Sequence, residues 1–323
     1  MTATAAPSLR QQLRGERIHL PRAYYARSTL WIALFAARPF LWIAVALLLA
    51  TSGTWIAWPA AAVALLIAQR HFQTLVHDAS HNFYHRRTPT NDRLANWLAA
   101  GWIGMTVENY RRIHFQHHAH NGSADDPEHV SFATVAGEGG LLRMVLRYAC
   151  LLEALRLVRK YYGAKAAPAG VGKAGRGGAR KESAPSKASL PAHIIGTQAL
   201  LAASCWWLGL AAVYPLWLYL AVTWSPLLSR LRFLVEHPGE DDTTVSTRST
   251  LLEKLLFAPL NFNFHFEHHA WPGLPPYRLR QAHRYLLREG FYERHPEYAN
   301  ETFLGSLARR EQEQRSALPV AAR

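Results

Sequence analysis

Cysteine is scarce in this 323-residue chain, and acidic residues are outnumbered by basic ones. The two cysteines, Cys150 and Cys205, stand 55 residues apart with no CxxC or other ligand spacing, so neither a disulfide framework nor a thiolate zinc site is readable. HExxH is absent too. No RRM, helix-turn-helix or zinc-finger pattern occurs, and nucleic acid is therefore not an expected partner despite the basic balance. No apolar run precedes Thr29, so no cleavable secretory signal is visible, and the Arg-rich first 27 residues read as the lead-in to a membrane helix. Lys and Arg number 36 against 22 Asp and Glu, a formal charge of +14 with neutral histidines. What the chain has in quantity is apolar and aromatic residues, 50% hydrophobic with 11 Trp, 13 Tyr and 13 Phe, which excludes disorder.

The apolar residues fall into two blocks. One runs from Thr29 to Gln69, interrupted by Arg38-Pro39 and by Thr51-Ser52-Gly53-Thr54; the other runs from Leu190 to Leu231, with Gly209 and Pro215 near its middle. A membrane helix needs about 20 apolar residues, so each block predicts a hairpin of two spans. They are placed near 33–51 and 55–75, and near 192–210 and 213–233. Charge distribution tests this against buried core helices. Six of the Lys and Arg lie in 1–38, seventeen in 70–187 and thirteen in 230–323, and the two short turns have none. That one-sidedness is the positive-inside pattern, which predicts cytoplasmic termini and a cytoplasmic middle segment. The expected fold is all-α and integral to the membrane, four transmembrane helices in two hairpins under a cytoplasmic helical cap. The expected division is an N-terminal segment 1–28, a membrane domain 29–290 and a cytoplasmic tail 291–323. In the middle segment, Leu94–Met105 is too short to span and predicts an interfacial or buried helix, and Leu141–Tyr162 predicts an amphipathic interfacial one. Residues 163–189, rich in Gly, Ala, Lys and Ser, read as a flexible basic insertion.

The 17 histidines cluster. His77-Asp78-Ala79-Ser80-His81 ends the second predicted span, and its i, i+4 pair shares one helix face. His114-Phe115-Gln116-His117-His118 and His265-Phe266-Glu267-His268-His269 each set i, i+3 and i+4 together, the latter just beyond the fourth span. Imidazole suits zinc, copper, iron and nickel. Four ligands saturate a tetrahedral zinc, whereas eight histidines without cysteine fit two metal ions with exchangeable positions. Two neighbouring irons are the natural reading, because such a pair can take both atoms of O2 and break an unactivated C–H bond. Asp78 and Glu267, inside the boxes, are candidates to orient a ligating imidazole through its second nitrogen.

HxxxH followed by two HxxHH boxes, with a membrane hairpin between, resembles the integral-membrane fatty acid desaturases and their hydroxylase and carotenoid-ketolase relatives. The resemblance covers roughly residues 30–290. It implies a non-haem di-iron centre under a four-helix stem, an acyl tail in a tunnel, and O2 as co-substrate. The family also uses a ninth histidine between the last span and the last box, for which His237 is the candidate. In animal stearoyl desaturases an Asn four residues earlier completes the coordination of the second iron through water, but here that position is Phe233, and Asn261, Asn263 or Glu236 are the candidates to replace it. Asn121 to Glu128 resembles the polar stretch that follows the second box in bacterial relatives. His237-Pro238-Gly239-Glu240 lacks the last glycine of a haem-binding HPGG, and no small haem domain is present, so an external donor such as ferredoxin is implied. The basic face suits acidic ferredoxins and acyl carrier proteins, and also anionic lipid. Desaturation is the expected reaction, on a lipid, acyl-CoA or acyl-ACP. Hydroxylation, ketolation or oxidative decarboxylation begins the same way and stays open. A membrane metal carrier would need polar residues within the spans, which are nearly absent. Ala and Arg usage, with no endoplasmic reticulum retrieval tail, leans towards a bacterial inner membrane.

Overall fold

Two long helices open the fold of the computed structural model, which describes residues 13, 15, 16, 18–123, 125–128, 140–162, 190–238 and 243–317. Helix α1 (Thr29–Thr51) starts at Ser28, whose hydroxyl accepts the Trp31 N–H, and it continues through Pro39. Gly53, at φ 68°, turns the chain into α2 (Ala57–Ser80), which packs along α1. Helix α2 extends past the expected end of the second span and carries His77 on its last turn, so the first box is rigidly continuous with the stem.

Helix α3 (Thr88–Leu98), a short 3-10 turn at Ala100–Ile103, and α4 (Val107–His120) cross the end of α2. The amphipathic stretch is two helices, α5 (Leu141–Ala149) and α6 (Leu152–Tyr162), parted at Leu151, which sits at φ 62°. The insertion at 163–189 lies outside the described residues. The second apolar block gives α7 (Ala192–Trp207), α8 (Val213–Val222) and α9 (Trp224–Glu236). The expected single span at 213–233 is thus broken at Thr223. Pro226 has no N–H for the Val222 carbonyl, and its ring would clash there, which is why the helix restarts.

The remaining elements close over this end of the bundle. Helix α10 (Leu251–Leu256) has a capping box between Thr250 and Glu253; α11 (His265–Ala270), α12 (Pro276–Arg288), α13 (Phe291–Arg294) and α14 (Phe303–Ala317) follow. A short parallel pairing joins β1 (Ser246–Thr247) to β2 (Ala299–Asn300). The chain does not leave the fold beyond residue 290: Phe291 and Phe303 are fully buried, and Leu13 and Ile18 pack with Phe266 and Phe291. Arg70, buried in α2, donates to the carbonyls of Leu256 and Phe257 and so ties α10 to the stem.

Among the described residues one helix, α1, is long and apolar enough to cross a membrane by those measures. Gln69, Arg70, His71 and Gln73 interrupt α2, and α7 and α8 have 16 and 10 residues.

Candidate metal centre

Four elements aim histidines at one volume. His77 lies on α2 and His81 caps it; α4, capped by the Thr106 hydroxyl, presents His114, His117 and His118; His237 caps α9; α11 is the third box itself. The nine rings form two groups, His77, His81, His114, His118 and His268 in one, His117, His237, His265 and His269 in the other. Within each group the donor nitrogens lie within 4.8 Å of one another. The two HxxHH boxes are used in opposite senses. In α4 the i, i+4 pair His114 and His118 serves the first group and His117 the second; in α11 the pair His265 and His269 serves the second and His268 the first.

The donor set fits metal ions better than hydrogen bonding among imidazoles. The Nε2 of His268 approaches those of both His77 and His118 at 3.0 Å, and the Nε2 of His114 approaches those of His81 at 3.0 Å and His118 at 2.9 Å. His265 and His237 meet at 3.0 Å in the second group. A neutral imidazole has one N–H, so a chain of such contacts leaves lone pairs facing lone pairs. The Nε2 of His269 is buried with no hydrogen-bond partner. A cation between the rings resolves both conflicts. With metal–nitrogen bonds of about 2.1 Å, right-angled coordination gives an edge of about 3.0 Å and tetrahedral coordination about 3.4 Å. The closest approaches, 2.9–3.0 Å, are spacings that two ligands of one ion can have, and all donors of a group stay within 4.8 Å of one another. Burial, then the neighbouring rings, holds His77, His114, His237, His265, His268 and His269 well below the usual imidazole range, and burial and Arg111 hold His81 at about 3. The rings are therefore neutral at pH 7 and offer lone pairs without first losing a proton.

Carboxylates fix some of these rings. His117 Nδ1 donates to the buried Asp126 Oδ2 at 2.8 Å, which leaves Nε2 as its lone pair. His77 Nδ1 meets Asp78 Oδ1 at 3.2 Å. Glu267 does something else from the role expected of it. It sits on the face of α11 opposite His265 and accepts from Ser246 Oγ, Tyr292 O–H and, at 2.6 Å, His283 Nδ1. It clamps α11 to β1, α12 and α13 instead of orienting a ligating ring. Asp126, Ser246, His283 and Tyr292 were missed from sequence; the Asn121–Glu128 stretch was a signal for the first, but nothing local pointed to the others.

The second group is bordered by Glu236, whose Oε2 lies 3.6 Å from His265 Nε2 and 3.1 Å from Arg232 Nε. Burial pushes its carboxyl up to about 8, against the pull of Arg232 and Arg70. Phe233, four residues before His237, lays its ring against that of His237 with centroids 4.5 Å apart. The other two candidates for this shell are turned to backbone. Asn261 donates to the Pro276 carbonyl at 3.3 Å and Asn263 to the Thr247 carbonyl at 2.7 Å. His71 hydrogen-bonds the Ile67 carbonyl within its own helix, and His85 and His120 are exposed.

A helical bundle closed by two buried histidine groups defines a class, a protein with donor sets that could hold metal at the end of an apolar stem. The sequence matches the Fatty acid desaturase family over residues 52–302, and the chain belongs to that family of membrane-associated oxidoreductases acting on acyl lipids. Among curated proteins, none matches the chain significantly.

Proposed function

We propose that this protein is a membrane-bound, O2-dependent fatty acyl desaturase holding one iron in each histidine group. The observation that carries the reading is a cavity of about 380 Å3 that reaches His77 between α2, α4, α5 and α9. Met105, Tyr110, Tyr148, Pro226 and Phe233 line one part of it, with Gln73, Glu128, Ser229, Arg230 and Arg232 as its polar wall. Two irons bound there supply, with O2, the oxidising power that takes hydrogen from adjacent methylenes, which no side chain does alone.

The chain's own residues do the rest. The aromatic wall gives an acyl tail an apolar bed, and its depth along that bed selects the carbon nearest His77. Asp126 and Asp78 hold ligating rings in one tautomer. Glu236 brings a carboxylate oxygen to 3.6 Å from the Nε2 of His265 and is taken as the additional ligand or water-bridging residue of the second group.

The stem is read as four spans, α1, α2, α7 and the broken α8–α9, with both termini and all histidine boxes cytoplasmic, in a bacterial inner membrane. Trp55, Trp206 and Trp207 are 80%, 78% and 89% exposed and lie at the two turns remote from the histidines, as an interfacial aromatic belt requires. The substrate is an acyl chain on lipid, CoA or acyl carrier protein, and electrons come from an external donor such as ferredoxin.

The test is expression in a bacterial host with mass spectrometry of total lipids and hydrocarbons, against a His268→Ala variant. An acyl product lighter by two hydrogens, absent from the variant, is expected. A product heavier by one oxygen, or a terminal alkene, would keep the metal centre and replace desaturation by hydroxylation or oxidative decarboxylation.

A further inference from the structure

The reading above requires electrons to reach a buried centre, and the outer face of α4 offers a route. Phe115 lies between the second-box histidines and is 46% exposed, yet its ring packs on His81 with centroids 5.3 Å apart and lies 6.4 Å from His114. An aromatic side chain that touches solvent on one side and two rings of the five-histidine group on the other is a covered path from this surface to the group. Its neighbours on the helix, Arg112, Gln116 and His120, are also exposed, so this face meets water and not lipid.

The surroundings are basic. Arg112 is one turn before Phe115. Arg86 and Arg87 are exposed in the turn after His81, and Arg27 lies 5.7 Å over Phe83, itself beside His81. No Asp or Glu occurs from 79 to 91 or from 109 to 124. An exposed aromatic centre with an arginine rim is the anatomy of a docking patch, and its sign selects an acidic partner. Electron-transfer encounters use small patches of this kind.

We propose that Phe115, with the basic side chains of Arg112 on its own helix and of Arg27, Arg86 and Arg87 on the segments next to His81, is the docking and entry point for a small acidic one-electron carrier protein, an inference that rests on the function proposed above. In each turnover the substrate gives up two hydrogen atoms, O2 becomes two waters, and two further electrons with two protons come from outside. The carrier is oxidised by one electron at each of two visits, and the electron passes by Phe115 and His81 to the bound metal pair.

The test uses the full-length protein in nanodiscs and a two-iron, two-sulfur ferredoxin as the probe. Binding is measured on metal-free and iron-loaded protein at low and raised salt, so this arm does not depend on turnover. Arg86→Glu with Arg112→Glu is expected to weaken binding by about tenfold or more and to flatten its salt dependence. Phe115→Ala is expected to weaken binding less than the arginine pair does but, at carrier concentrations that saturate it, to lose ferredoxin-driven reduction of the iron, with reduction by dithionite and iron content kept, and Phe115→Trp to restore it. Wild-type affinity in the double arginine variant overturns the docking surface, as does a loss confined to binding of anionic vesicles. Wild-type electron transfer in Phe115→Ala overturns the entry point. A wild-type protein that holds no iron would sink the proposed function instead, while the binding arm still decides the surface.

Discussion

Whether a histidine ring can take a metal depends on which of its nitrogens is already committed. His117 has given Nδ1 to Asp126. Asp126→Ala should therefore lower iron affinity or activity by about 10–100-fold, read by elemental analysis and by product formation. His117→Ala and His268→Ala should abolish iron binding and turnover while the protein still inserts, whereas the exposed His85→Ala should keep most activity. Acid should act through the rings that burial holds down, His77, His81, His114, His237, His265, His268 and His269. Their folded-state pKa values lie below the unfolded value of about 6.5, so the unfolded chain binds more protons between the two and stability falls as pH drops through that window. For His81 the window closes at about 3. Glu236, pushed up to about 8, works in the opposite sense, as do Asp78 and Glu128, whose carboxyls burial also raises, but the lowered histidines outnumber these three. The metal-free protein should thus melt at lower temperature at about pH 5 than at about pH 7, and bound metal, which competes with the protons, should reduce the difference. Differential scanning fluorimetry of both forms measures this.

Among the elements, α11 and α9 show what a sequence does and does not disclose. The i, i+4 pairs His77/His81, His114/His118 and His265/His269 were legible, because helical spacing alone sets their faces. How the boxes divide between two groups was not, since HxxHH offers three rings to either side and only the crossing of α4 over α11 decides. Glu267 was half legible: two residues from His265 on a helix, it must face away from that ring, yet its donors come from 246, 283 and 292. The kink at Thr223 follows from Pro226, read locally, but the apolar run concealed it. Glu267→Ala strips three buried donors of their acceptor, and a loss of about 1–3 kcal/mol for each group left unsatisfied is the scale to expect. Chemical denaturation should show that destabilisation, with Glu267→Gln intermediate because its carbonyl still accepts.

For the molecule as a whole, the two apolar blocks announced the long helices α1, α2 and α7, while the polar interruptions of the apolar run in α2 required the bundle to explain them. Arg70 belongs there because two carbonyls at the end of α10 receive it. The orientation can be checked with the protein's own thiol. Cys150 is exposed and Cys205 buried. A membrane-impermeant maleimide should leave Cys150 unlabelled in intact cells and modify it after lysis, and an added thiol at Ser52→Cys should be modified in intact cells.

The six residues of α11 supply rings to both groups. An ion in either group would fix the rings that short helix carries and so narrow the freedom of the other group's donors, His268 of five in the first and His265 and His269 of four in the second. A second ion then meets a site part of whose entropy loss has already been suffered. Loading should therefore be all-or-none: native mass spectrometry of a half-titrated sample should find chains with no metal beside chains with two, and few with one.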